Sequence, residues 1–157
     1  MPWNRAYLRY VEKRLQEIDP EITIPYWEWW KSPSIPRAFS QEDFGSEPNV
    51  LWDATRTSQE IAPASLRLPT SIAFPDFANL SARLNQEHSI VHASIGGNMA
   101  SVSQAGLDPL NLVVMAAVDY RWYDWEQIHA VAPEEGLDVP LEPFTLTVRE
   151  TLANFEP

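Results

Sequence analysis

The sequence predicts a single, mainly α-helical domain with long irregular segments between its helices. Two observations carry that reading. Three stretches place apolar residues at the three-or-four-residue spacing of a helix face. The 157 residues are 45% hydrophobic, with seven Trp and five Tyr, which is enough to bury one core.

The first helix is predicted over residues 3–18, "WNRAYLRYVEKRLQEI". Trp3, Tyr7, Val11, Leu15 and Ile18 form its apolar stripe, and Arg5, Arg9, Lys13 and Glu17 take the other side. Asp19-Pro20 ends it. "ITIPYWEWW" reads as extended because Pro25 interrupts it. Residues 31–74, rich in Pro, Ser and charge, read as a long loop pinned by Leu51 and Trp52. A second helix is expected to begin at Pro75, to run through Phe77, Leu80 and Leu84 to His88 and His92, and to stop at Gly96-Gly97. The third starts from Asp108 as cap and Pro109 as first residue. It is apolar all round from Leu110 to Val118, then keeps one apolar face through Trp122, Trp125 and Ile128. The tail, 130–157, is Pro-rich and acidic, and "FTLTVRETL" within it fits a strand or a short helix equally well. All of 1–157 is read as one domain, divided at 30, 74 and 129.

A formal charge of −11 and a pI near 4.6 disfavour nucleic acid and anionic membranes as partners. No cysteine is present, which removes disulfides, thiolate metal sites and a cysteine nucleophile. With no leader pattern and no apolar run near 18 residues, the expectation is a soluble chain, cytoplasmic by default, its compartment otherwise open.

His88 and His92 stand one helical turn apart, so both imidazoles can face one metal ion. Ser89 follows His88, so the H-E-x-x-H pattern of zinc proteases is absent. The surrounding residues are more informative. Gly96, Gly97, Met99, Asp108, Pro109, Val118, Asp119, Trp122 and Trp125 follow the pair in order. Pro2, Trp3, Arg5, Tyr7, Leu8, Glu12, Pro25, Tyr26, Trp27 and Trp29 open the chain. Together with "LRLPT" and "PFTLTVRETL", these resemble the tyrosinase and polyphenol oxidase family of tyrosinases, catechol oxidases and molluscan haemocyanins.

The resemblance implies a helical bundle with long loops, and two coppers, each held by three histidines, that together reduce dioxygen while a phenol is oxidised. Carried over residue by residue, the family's ligands are largely missing. The third ligand of the first copper falls on Asn4, and the third ligand of the second on Met115, beside Val114. The asparagine thought to help draw a proton from substrate is Ser89, and the aromatic residue over the copper is Asn111. The chain starts at the segment that follows the first two ligands of the first copper, so one core helix is expected to be missing. The apolar third helix then needs a cover: a long loop, a second chain or a second copy of this one, unless the chain is a truncated gene product.

His129 lies 14 residues beyond Met115, roughly 21 Å along a continuous helix, and cannot join the pair. Met115 has two readings, a soft ligand for copper(I) or filler in an apolar run, and filler is the expected one. Asp119 is expected to form a structural salt bridge with Arg5 or Arg121 rather than to bind metal. The pair is read as a relic whose nitrogens bond to Ser89, Asn111 or Asn4, with a surviving metal pair as the rival. Trp27, Trp29, Trp122 and Trp125 are expected to pack the core rather than to form a stacking platform.

The functional expectation is therefore a tyrosinase-like domain with a degenerate copper centre, holding partial copper or none, that binds a partner or a small phenolic ligand. The alternatives are a copper oxidase completed by another chain and a mononuclear metal protein built on His88, His92 and Met115.

Overall fold

The structure is a computed structural model, and it describes residues 1–62, 74–129 and 137–153. It is mainly helical: α1 (Pro2–Gln16), α2 (Arg37–Ser40), α3 (Phe77–Ile95), α4 (Leu110–His129) and α5 (Val148–Ala153). Two short 3-10 turns, Gly97–Ala100 and Ala105–Leu107, lie between α3 and α4. The single sheet among the described residues is an antiparallel hairpin of two-residue strands, β1 (Asp43–Phe44) and β2 (Glu47–Pro48). "LRLPT" lies outside the described residues.

α3 and α4 form the centre, with α1 against α4. On α3 the buried residues Leu80, Leu84, Glu87, Val91 and Ile95 make one stripe. Its cap is Asp76, whose carboxylate accepts from Asn79 N at 2.8 Å, so the helix starts two residues beyond Pro75. It stops where Gly96 and Gly97 take positive φ, 73° and 56°. Thr57 N donates to the terminal Ile95 carbonyl at 2.9 Å. A Cβ on Gly97 would stand 2.2 Å from the Thr55 carbonyl oxygen, so the loop fits only because the helix ends in glycine.

α4 is buried nearly all round, as its composition predicts, from Leu110 to Trp125. At its start Asp108 accepts from Leu110 N at 2.8 Å and from the fully buried Arg56 at 2.6 Å. The same guanidinium donates to the carbonyls of Phe39 and Leu51. One arginine thus fastens the long loop, which carries α2 and the hairpin, to the central helix. Trp27, Trp29, Trp122 and Trp125 are all at most 4% exposed and sit in one apolar cluster with Leu80, Leu84 and Ile95, so they are core and not a platform.

α1 departs from its predicted stripe. Arg5, Ala6 and Leu8 are its buried residues, while Trp3 is 42% exposed and Ile18 82%. The reason is Arg5, which pairs with Asp119 on α4 at 2.9 Å, reaches Glu126 at 3.2 Å, and lies 3.9 Å over the Trp122 ring. Trp3 and Tyr7 stack instead on each other and against Phe144. Near the C-terminus Leu141 N donates to the Leu146 carbonyl, and Val148 begins α5, which settles the strand-or-helix question as a turn followed by a helix.

Candidate metal centre

His88 and His92 both lie on α3, on the turns beside the buried stripe. Their rings meet edge to face with centroids 4.3 Å apart. His92 Nδ1 stands 2.8 Å from the Met99 carbonyl oxygen. A carbonyl can only accept, so Nδ1 carries the proton and Nε2 presents its lone pair. The Gly96-Gly97 turn brings that carbonyl back onto the helix it has just ended. The Nε2 atoms of both histidines are buried and have no hydrogen-bond partner among the described residues.

Burial pushes the His88 imidazole down to about 4, with the neighbouring His92 adding to the effect. Burial also lowers His92, against the pull of the Met99 carbonyl. Both rings are neutral near pH 7, the state in which imidazole binds a metal.

The expected relic partners do not serve. Ser89 turns its hydroxyl back to the Asn85 carbonyl at 2.9 Å and is exposed, and no described side chain reaches either Nε2. The partner that sequence reading missed is a backbone carbonyl, Met99, which no side-chain pattern announces. Asn111 and Met115 are both buried on α4, one turn apart. Met115 is 5% exposed yet stands apart from the contiguous apolar core that contains its neighbours Val114 and Ala117. Asn4 is half-buried on α1. His129 stacks on Trp125 at 4.9 Å towards the far end of α4.

Beside the pair, Glu87 is buried at 2% exposure, pairs with Arg83 at 2.9 Å and lies 3.5 Å from Arg121; burial raises its carboxyl. The signal that could have found it is a charged residue on the apolar stripe, three residues after Leu84. Asp119 makes its salt bridge to Arg5, one of the two arginines expected.

Two neutral imidazoles on adjacent turns, one oriented by a backbone carbonyl, both leave Nε2 without a hydrogen-bond partner among the described residues, a donor set that offers two nitrogens. Among the described residues no group of three or more His, Asp or Glu could hold a metal ion. Among the described residues this donor set does not fit a two-copper centre with three histidines on each metal.

The family model for the common central domain of tyrosinase matches residues 1–72, a little under half of the chain. Grixazone synthase of Streptomyces griseus is 52% identical over 70 residues, covering 45% of this chain. A tyrosinase of Streptomyces lincolnensis is 26% identical over 196 residues, covering 92% of the chain. Hemocyanin 2 of Megathura crenulata is 21% identical over 176 residues, covering 90%. The chain is thus similar to the central domain of tyrosinase over its first 72 residues, and to tyrosinases and a molluscan hemocyanin over about nine tenths of its length. It spans 5% of the hemocyanin, 19% of grixazone synthase and 71% of the S. lincolnensis tyrosinase.

Proposed function

We propose that this is a tyrosinase-type domain whose dicopper centre has degenerated, and that it works by binding, alone or with a partner chain, rather than by oxidising phenols. The observation that carries the reading is internal to the chain. Where the resemblance places the third histidine of each copper, the residues are Asn4 and Met115. A neutral carboxamide is a poor copper ligand, and a thioether favours the reduced metal. Reducing dioxygen by two electrons takes one from each copper(I), so a single ion cannot replace the pair. The changes at Ser89 and Asn111 point the same way, because in the family the first position holds an asparagine thought to help draw a proton from substrate and the second an aromatic residue over the copper. The test is oxygen uptake with catechol after copper loading. The reading predicts no uptake above that of free copper at equal concentration; sustained turnover that a diphenol-analogue inhibitor abolishes would overturn it.

A second reading is a mononuclear copper(I) site on His88, His92 and Met115. The two buried Nε2 atoms, partnerless among the described residues, favour it, as does the place of Met115 outside the main apolar core. His88→Ala then abolishes stoichiometric copper(I) uptake and Met115→Leu weakens it about tenfold, the effect of losing one soft ligand. Uptake unchanged in both variants rules this reading out.

A further inference from the structure

A second site lies on the other side of α1, where the helix meets the C-terminal segment. Trp3, Tyr7 and Tyr10 fall at i, i+4 and i+7, so their rings form a ladder on one face. Phe144 lies against all three, with centroid separations of 5.5, 6.5 and 6.0 Å. The Trp3 indole N–H donates to the Glu142 carbonyl at 2.9 Å and holds this segment in place. Between ladder and segment opens a cleft of about 710 Å³, within the range of small-molecule sites. Trp3 and Tyr10 remain 42% and 51% exposed, so part of the aromatic surface is left uncovered.

The charge around this cleft runs against the rest of the molecule. The chain has 22 acidic residues and 11 basic ones. The cleft is lined by Arg9 and Lys13, one turn apart on α1, and by no carboxylate. Neither cation has an ion pair or hydrogen bond among the described residues. Two free cations beside an open aromatic wall, in an acidic protein, are complementary to one kind of ligand. The rings offer faces for stacking and the cations a counter-charge for an anion at the edge of a planar body.

We propose that this cleft binds small planar aromatic carboxylates. The ligand's ring lies on the Trp3–Tyr7–Tyr10 ladder beside Phe144, and its carboxylate is held by Arg9 and Lys13. The site is separate from the histidine pair and does not depend on metal there.

The probe is 1-naphthoate, titrated into the full chain by calorimetry and by following the Trp3 indole N–H resonance, with the neutral isostere 1-naphthamide as control. Saturable binding is expected, with the Trp3 signal shifting. The amide and the Arg9→Gln/Lys13→Gln double variant each bind about tenfold more weakly, as the loss of an exposed charge-assisted contact implies. Tyr10→Ala weakens both probes, and His88→Ala changes neither. No saturation up to about 5 mM would overturn the proposal. So would equal affinity for acid and amide, or loss of binding in His88→Ala. Arg9 and Lys13 are not part of the buried core, so the double variant is expected to melt with the parent protein, and the melt is recorded beside the titration.

Discussion

At the scale of the residue, two buried groups have opposite consequences. His88 is held neutral by burial, with its imidazole near 4 against about 6.5 when the chain unfolds. Between those values the unfolded chain binds the proton and the folded one does not. Stability from this residue is therefore fully present above about pH 6.5, lost as pH falls towards 4, and not lost further below that. In metal-free protein kept in chelator, the loss amounts to about 3 kcal/mol. Urea unfolding of wild type and His88→Leu at pH 7 and pH 4.5 checks this. The wild type should lose most of that amount relative to the variant, and parallel pH slopes would refute a buried neutral His88. Arg56 is the opposite case, a charge buried with its partner. Asp108→Ala strands that guanidinium and removes the bond to Leu110 N, so it should cost about 3–5 kcal/mol in urea unfolding.

At the scale of the element, the turn after α3 does two jobs. It ends the helix on positive-φ glycines, and it returns the Met99 carbonyl to His92 Nδ1. Gly97→Ala places a Cβ on the Thr55 backbone in a left-handed conformation, and should cost more than about 2 kcal/mol. Gly106→Ala meets nothing within 4 Å and should stay within about 0.5 kcal/mol of wild type. Thermal melts of the two variants side by side check both. A tolerated Gly97→Ala would mean that loop 53–58 does not pack on the turn as described.

The same scale shows how far the sequence could be read. α4 was legible because Leu110 to Val118 is apolar in nearly every position and Asp108-Pro109 marks its start. The end of α3 was legible from Gly96-Gly97. The buried face of α1 was not, because periodicity counts apolar side chains and Arg5 is charged. Its burial depends on Asp119 and Glu126, more than a hundred residues away. Arg56 was missed for the same reason, lying in a loop with its partner on α4. The histidine pair could be read from its spacing, but the carbonyl that orients it could not, since backbone acceptors leave no mark in a sequence.

For the whole molecule, a helical domain similar to tyrosinases is built on the α3–α4 pair, an aromatic core and the Arg5–Asp119 and Arg56–Asp108 ties. Inside that scaffold His88 and His92 lie side by side on α3, with Met115 buried on α4. Such a domain can still bind, and the aromatic cleft on α1 offers one place to do so. No described helix is long and apolar enough to cross a membrane. The charge of −11 bears on partners at this scale: a protein partner meeting this surface should carry basic residues, and its binding should weaken as salt rises.

Copper stoichiometry bears most directly on the proposed degenerate centre. Protein loaded with excess copper(I) under anaerobic conditions, desalted and assayed for metal and chain concentration, should hold at most one copper per chain, and none once both His88 and His92 are replaced by Ala. Two coppers per chain, retained through desalting and lost together in that double variant, would contradict the account.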